Sequence, residues 1–322
     1  MGNAKTITLT PQNPSAGTND LVQRTSSVRL RFDRFLLPGE AIRQSLCLQP
    51  LSDDVPTIDK CAQGVFLEPT YDPVQRIATY RLRPDQTPAL LADTRYWLTL
   101  LSPTEESPFG FSAFDGAPLE ANVVLQFSTT KTNLPGGPVD PALDAAAQRV
   151  ISEELFCTAD ACITSCGMDD ACKSKCPVRK SLPNGCGGCH GPIEFGSSAM
   201  GLDLSQANRI NSIIGRVANQ TQTGANADEP DSKPRRFGRA MPQIEAANPG
   251  NSYLLYKMLI GGTYARSPAA AGLAEGEIDR LRASVVVGLP MPPYDIYAIP
   301  DSAVDALSAW ISTGAATPTT CP

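Results

Sequence analysis

The sequence has little histidine, no excess of positive charge and no long apolar run. His190 is the single histidine in 322 residues. The 27 lysines and arginines stand against 33 aspartates and glutamates, and this net charge of −6 argues against a nucleic-acid partner, which needs a basic surface. No run approaches the roughly 18 apolar residues of a membrane span. We therefore expect no transmembrane segment and no nucleic-acid binding.

Cysteine, in contrast, is plentiful. The chain has ten cysteines, which is more than a cytosolic protein usually keeps reduced. We therefore expect an exported protein, either periplasmic or at the cell surface or extracellular. Met1–Thr10 shows no charged segment followed by an apolar one, so we expect the signal sequence to have been removed. A lipid anchor lost with that signal stays open.

The first part of the chain alternates apolar and polar residues with a period of two, as half-buried strands do. Turn residues separate about seven such segments, the number that a β-sandwich requires. We predict an all-β sandwich over residues 1–130. The clearest strands are Val28–Phe32, Ala78–Leu82, Tyr96–Leu100 and Val123–Phe127, and the weaker ones are Ile7–Thr10, Leu46–Leu48 and Val65–Leu67.

This part also resembles the Ig-like domains of bacterial surface and S-layer proteins. The resemblance covers about residues 5–130 and implies a fold rather than a chemistry. It is carried by "ITLTPQNPSAG", "SSVRLRFDRFL", "TPALLADTRYWLTL" and "DGAPLEANVVLQFST", of which "TRYWLTL" and the final "FST" are the most specific.

The pattern changes after a Pro/Gly-rich stretch at 131–140, which we interpret as a linker. Apolar residues then recur at helical spacing, so we predict an all-α domain over 141–322. Its helices are expected after Asp140, over Ile210–Val217, over Ser252–Gly261, over Glu275–Ser284 and from Asp301 to Gly314.

Residues 186–190 read Cys-Gly-Gly-Cys-His, the C-x-x-C-H spacing of covalent haem c attachment. Each of Cys186 and Cys189 can add to a vinyl group of the porphyrin, and the adjacent His190 then lies beneath the iron as its proximal ligand. A structural zinc site, a redox dithiol and a plain disulfide are the alternatives. Zinc would need further cysteine ligands, and the βαβ pattern of a thioredoxin-like dithiol is absent.

The sixth iron ligand cannot be a second histidine, which leaves methionine, another weak ligand or an open site. Met291 in "GLPMPPY" is our first choice, because the flanking prolines favour a stiff, non-helical loop. Met241 is the alternative. The other four methionines are weaker candidates. Met1 is terminal, Met258 lies on the apolar face of a predicted helix, Met168 lies in the cysteine-rich turn, and Met200 is only ten residues from His190.

Residues 140–316 resemble a class I-like monohaem cytochrome c domain of large bacterial exported proteins. The resemblance is carried by "CGGCHG", "GLDLS", "NPGNSYLLYKM", "LPMPP" and "LSAWISTGA". It implies an all-α cytochrome fold, with Met291 as the distal ligand and Trp310 at the contact between the first and last helices. A core tryptophan on an amphipathic helix fits Trp310 equally well.

The chain departs from that family by a cysteine-rich insertion at 157–183. The two haem thiols leave eight cysteines, an even number that fits four disulfides. Four-residue spacing suggests an α-hairpin pinned by two bonds, and the remaining pairs follow from position. Other pairings stay open. The expected disulfides are Cys47–Cys61, Cys162–Cys176, Cys166–Cys172 and Cys157–Cys321.

From these features we expect a soluble electron-transfer protein with one haem c, His190 and Met291 holding the iron, and a redox protein or another cytochrome as partner. It would not itself be an enzyme, since its one histidine is occupied, although a role as subunit of a redox enzyme stays open. The alternative is a cell-surface structural or interaction protein whose Ig-like domain binds a partner, with the haem domain as sensor or tether.

Overall fold

A computed structural model describes part of the chain, and all structural statements concern that part. The described residues are 9–13, 20–24, 27–36, 41, 43–50, 66, 68–83, 90–105, 107–132, 167–169, 171, 202, 204, 211–218, 241–284, 291 and 301–316.

The chain divides into two compact units. Unit 1 comprises Met1–Val139 and the short segment Gly272–Leu281. Unit 2 comprises Asp140–Ala271 and Arg282–Pro322. The sequence-based boundaries, with a linker at 131–140 and one domain over 141–322, remain a prediction. No feature of the sequence predicted that residues 272–281 belong to unit 1.

Two four-stranded sheets form the body of unit 1. The strands in the described residues are β1 (Leu9–Asn13), β2 (Asp20–Val22), β3 (Val28–Phe32), β4 (Leu46–Pro50), β5 (Thr70–Asp72), β6 (Ile77–Tyr80), β7 (Arg95–Leu100) and β8 (Val123–Thr129). One sheet has the order β1-β3-β6-β5 and the other β2-β8-β7-β4. Paired strands are antiparallel, except that β2 runs parallel to β8. Apart from β2, which is an additional strand beside β8, this strand order is that of a constant-type immunoglobulin sandwich.

The alternating pattern of the strands fills the space between the sheets. In β3, Val28, Leu30 and Phe32 are buried, whereas the arginines between them are not. Phe111 packs on the inner face of the first sheet, with its ring centroid 5.1 Å from that of Phe32 on β3 and 6.3 Å from that of Tyr80 on β6. Each buried side chain of this size stabilises the fold by about 1.5–3 kcal/mol.

A tyrosine corner fixes the start of β7. The Tyr96 hydroxyl accepts a hydrogen bond from the Leu91 backbone N–H at 2.8 Å. The Thr129 hydroxyl donates to the Leu91 carbonyl at 2.5 Å. Asp93 turns the chain between them with a φ of +50°, a left-handed conformation that aspartate tolerates better than most residues. This arrangement is typical of Ig-like sandwiches, where it holds the loop that leads into the same strand.

The described part of unit 2 is built around α1 (Tyr253–Leu259). All seven residues of α1 are buried, as expected for a helix enclosed on every side. The other helices are α2 (Gly262–Ala265), α3 (Glu277–Ser284), whose first five residues belong to unit 1, and α4 (Asp301–Ser312). Single turns of 3-10 helix occur at Arg43–Ser45, Asn211–Ile213, Pro249–Asn251 and Pro268–Ala270.

Helix α4 shows why its sequence forms a helix and where it ends. Val304, Leu307, Trp310 and Ile311 recur at helical spacing and are all buried. The helix ends just before Gly314, whose φ of +102° and N–H bond to the Ile311 carbonyl terminate it. The Trp310 indole N–H donates to the Ala316 carbonyl at 2.9 Å. Trp310 is therefore a core residue with a satisfied donor.

The predicted fold class, a sandwich followed by an all-α cytochrome c-like domain, is wrong. The described structure is mixed: it combines sheets with short helices, and the described part of unit 2 contains 3-10 turns and isolated β-bridges rather than a large helical domain. The physical reason is clearest at the helix predicted over Ile210–Val217. Gly215 there adopts a φ of +74°, which a helix cannot contain, and Ile214 bridges to Ile244.

Candidate functional site

The residues of the haem-attachment motif lie outside the described residues, as do Met200 and most of the cysteines. Cys186, Cys189 and His190 therefore stay a prediction, and so do the four disulfide pairings. The other cysteines outside the described residues are Cys61, Cys157, Cys162, Cys166, Cys172, Cys176 and Cys321.

Met291, the predicted distal ligand, lies in the described residues and is half-buried. Its backbone N–H donates to the carbonyl of Lys257 at 2.9 Å. That carbonyl belongs to the last turn of α1, where helix carbonyls have no partner within the helix. The bond thus satisfies one of these carbonyls and holds the backbone of Met291 at the end of α1.

Met241, the alternative ligand, is completely buried. Its carbonyl accepts a hydrogen bond from the Ala218 N–H at 2.9 Å. Of the remaining methionines, Met258 is buried in α1 and Met168 is almost fully exposed. The choice between Met291 and Met241 as the distal ligand therefore stays a prediction.

The donor set present in the chain fits a covalently bound haem. Two thiols at C-x-x-C spacing and an adjacent imidazole would supply the attachment and one axial nitrogen. Met291 would supply a second axial donor of the right type. Among the residues that the structure describes, no group of three or more His, Cys, Asp or Glu side chains is arranged to hold a metal ion.

Lys257 is the unusual titratable group of α1. Only 5% of the residue is exposed, and this burial lowers the pKa of its ammonium group from 10.5 to about 8. Removing a charged amine from water favours the neutral form, which is why the shift is downward. The backbone of the same residue anchors Met291.

The loop before α1 is fixed by a polar cluster. The Glu245 carboxylate accepts hydrogen bonds from the amide nitrogens of Asn248 at 2.9 Å and Asn251 at 2.5 Å. The Ser252 hydroxyl donates to the Asn248 carbonyl at 3.0 Å, and the Tyr256 hydroxyl donates to the Gly250 carbonyl at 2.8 Å. The "NPGNSYLLYKM" segment thus forms its own hydrogen-bonded entry to the helix.

Cys47 is disulfide-bonded in the second sheet of the sandwich. It lies on β4, is almost fully buried, and its sulfur accepts a hydrogen bond from the Gln49 side chain at 3.2 Å. Its partner is outside the described residues. A disulfide at this position agrees with the oxidising compartment that the cysteine count predicts.

A buried ionic cluster in unit 1 has no counterpart in the sequence-based prediction. Arg34 has no exposed surface, and its guanidinium contacts Asp115 at 2.6 Å and Glu277 at 2.8 Å. Burial acts to lower the pKa of Arg34, but the hydrogen bond to Asp115 and the charge of Glu277 outweigh it, so the pKa is raised. The three residues are far apart in the chain, and no local motif could have linked them.

Apolar side chains remain exposed on the described surface of the sandwich. Leu21 is 68% exposed, and Leu91, Phe109 and Val124 are each about half exposed. Single exposed apolar residues are normal in globular proteins, so these positions do not define a binding site by themselves. Among the described residues, no helix has the length and apolar character to cross a membrane.

Of the comparisons with known proteins, only the one with solved structures found similar chains. No protein-family model matches the chain, and no curated protein matches it. Similar solved structures include the N-terminal part of the bacterial S-layer protein SbsC, at 12% identity and a TM-score of 0.26, covering 39% of this chain and 24% of that one. Another is the S-layer protein rSbsC(31-844), at 12% identity and a TM-score of 0.26. This match covers 39% of this chain and 14% of that one. The chain therefore spans less than a quarter of either.

Proposed function

We propose that the protein carries electrons through one haem that it binds covalently. The observation that carries this proposal is Cys-Gly-Gly-Cys-His at 186–190, which includes the only histidine of the chain. A haem bound in this way exchanges one electron as its iron alternates between ferric and ferrous states. Cys186 and Cys189 would each add their S–H across a vinyl group, so that a thioether forms and no atom is lost.

The axial ligands in this proposal are His190 and Met291. The imidazole nitrogen of His190 would bind one side of the iron, held in place by the neighbouring thioether bonds. The flanking prolines of Met291 and its backbone bond to Lys257 support this residue, and Met241 stays the alternative. With both axial positions filled, the protein would pass electrons without binding a substrate at the metal.

The proposed setting is an oxidising compartment, either the periplasm or the cell surface. The ten cysteines and the disulfide of Cys47 support export, because such bonds rarely persist in the cytosol. The partner would be a redox protein or another cytochrome. Hydrolytic chemistry is not proposed, because the one imidazole is assigned to the iron and none remains as a general base.

The test is a visible spectrum of reduced minus oxidised protein, combined with the intact mass, on material matured by a host that attaches haem c. We expect the mass of one haem to remain after denaturation and a weak sulfur-to-iron band in the ferric state. Met291→Ala should remove this band, whereas Met241→Ala should leave it. Colourless mature protein, or Cys186 bonded to Cys189, would refute the proposal, and loss of the band in Met241→Ala would refute the ligand assignment.

A second candidate is a cell-surface structural or interaction protein in which the Ig-like sandwich binds a partner. One observation favours it: the described residues of unit 1 form a two-sheet sandwich with its own apolar core, an architecture shared by many cell-surface domains. The described structure thus lies closer to this second candidate. In it, the haem segment would serve as a sensor or a tether.

Electron-exchange kinetics separate the two candidates. Rapid reduction and reoxidation by a small redox protein supports the carrier. Slow exchange, together with tight binding of a partner by a protein whose haem is intact, supports the interaction module. Rapid binding of carbon monoxide to the ferrous protein would indicate an open iron and would contradict His/Met ligation.

A further inference from the structure

The segment Gly272–Leu281, called the strap below, packs with the sandwich although it follows β8 by more than a hundred residues. Its chain neighbours on both sides, Ala271 and Arg282, belong to unit 2. The strap is thus the one stretch of the second half of the chain that is grouped with unit 1. Its contacts within unit 1 explain this grouping.

Glu277 is the centre of those contacts. Its carboxylate accepts a hydrogen bond from the Arg34 side chain at 2.8 Å and another from the Phe35 backbone N–H at 3.0 Å. It also accepts one from Arg280 of the strap itself at 2.8 Å. Glu277 is 1% exposed, so each of these bonds forms away from water. Charge-assisted bonds of this kind are stronger than neutral ones.

The sandwich side of the contact is built to receive a carboxylate. Arg34 is held by Asp115 at 2.6 Å and lies over the ring of Phe114, with its guanidinium carbon 5.6 Å from the ring centroid. Asp33 contributes its carbonyl, which accepts a hydrogen bond from the Ala274 N–H at 2.8 Å. The receiving group is therefore pre-positioned by residues of the sandwich alone.

Glycines in left-handed conformation lie at the start of the strap and just before its helix. Gly272 has a φ of +74° and Gly276 a φ of +71°. A Cβ added at Gly272 would meet no atom within 4 Å, so glycine is favoured there by its φ rather than by lack of space. Residues of this kind absorb large backbone rotations at low cost. The strap thus combines its polar bonds to the sandwich and the buried Leu281 with glycines whose backbone can rotate at low cost.

We propose that the strap is an intramolecular latch, in which Glu277 occupies a carboxylate-accepting site formed by the Arg34 guanidinium and the Phe35 N–H, while the Asp33 carbonyl holds the Ala274 N–H beside it. The latch opens as one unit while the sandwich strands stay folded. Opening would uncover the Arg34 guanidinium and the Phe35 N–H. This inference does not depend on the proposed electron transfer, because it concerns only unit 1.

Native-state hydrogen exchange on the full-length protein tests the latch. In the unaltered protein, amides of 277–281 should exchange through an opening that leaves the amides of β7 and β8 protected. In Glu277→Gln, which removes the charge, the strap amides should exchange at least roughly a hundredfold faster, since breaking one side of a buried ion pair is costly. The strand amides should remain the slower set.

Two further variants control the experiment. Arg34→Lys keeps the positive charge but loses the planar fork, so it should accelerate strap exchange less than Glu277→Gln does. Arg43→Gln breaks the exposed pair with Glu68 in the same unit and should leave strap exchange unchanged. If strap and strand amides share one exchange rate in the unaltered protein, the strap is an integral part of the sandwich and the proposal is wrong. This readout stands even if Glu277→Gln fails to fold.

Discussion

Individual residues of this protein combine burial with charge in two different ways. Arg34 is fully buried but contacts two carboxylates, so its charge is compensated. Lys257 is also buried, and the dominant effect on it is the loss of water around its ammonium group. Arg34 therefore stays charged at any ordinary pH. Protonation of Lys257, in contrast, destabilises the folded state relative to the unfolded chain.

A pH dependence of stability follows from Lys257. Its pKa is about 8 in the folded protein, against the ordinary value of 10.5 for a lysine in water, so the unfolded chain binds more protons between these values. The free energy of unfolding should therefore rise as the pH increases from 8 to 10.5, by up to about 3 kcal/mol for this group. Lys257→Met should flatten this rise, as measured by urea unfolding at several pH values.

The comparison of Lys257→Met with the unaltered protein matters more than either curve alone. Other groups titrate in the same pH range, but their contribution to the unfolding free energy is common to both proteins and cancels in the difference between the two curves. Lys131→Met is a suitable control, because Lys131 lies on the surface of unit 1 with 79% of its side chain exposed. Equal slopes for Lys257→Met and the unaltered protein would show that burial of Lys257 does not oppose its charge.

At the scale of elements, the strands of the sandwich could be predicted far better than the turns of unit 2. Buried and more exposed side chains alternate along β3, β7 and β8. The same period of two is visible in the alternation of apolar and polar residues in the sequence. The helices α1 and α4 were equally visible from their apolar spacing. By contrast, β2 and β5 are only three residues long, too short for a period to register.

Predictions failed where local pattern and tertiary context disagree. Ile213, Ile214 and Val217 have helical spacing, yet these β-branched residues lie in a 3-10 turn and two bridges. The ionic cluster of Arg34, Asp115 and Glu277 could not be predicted at all, because it joins three segments distant in sequence. Of the candidate haem site, only the methionines fall within the described residues, and the rest stays a prediction.

Gly215 provides a test of whether the segment around Ile213 and Val217 does not form an α-helix, as the structure shows. Its φ of +74° is unfavourable for residues with a side chain, although a Cβ there would meet no neighbour within 4 Å. Gly215→Ala should therefore destabilise unit 2 through backbone strain alone, by about 1–2 kcal/mol. Gly215→Asn should cost less, because asparagine tolerates this conformation. If thermal unfolding shows the alanine variant to be at least as stable as the original protein, position 215 is helical and the sequence-based prediction was right.

At the scale of the whole molecule, the two compact units have separate cores. The chain contains two tryptophans, and each unit has one: Trp97 on β7 and Trp310 on α4. Because multi-unit chains commonly unfold in more than one step, a single unfolding free energy need not describe this protein. Fluorescence of one tryptophan at a time can follow each unit on its own.

This division predicts selective effects of core substitutions. Leu125→Ala removes a buried side chain from β8 and should destabilise unit 1 by about 2–5 kcal/mol, and Leu255→Ala in α1 should do the same to unit 2. Urea unfolding would be followed through Trp97 in a Trp310→Phe background and through Trp310 in a Trp97→Phe background. Each core substitution should shift the transition of its own unit and leave the other within about 0.5 kcal/mol, since distant sites act independently. Equal shifts at both tryptophans would mean that the two cores unfold as one cooperative unit.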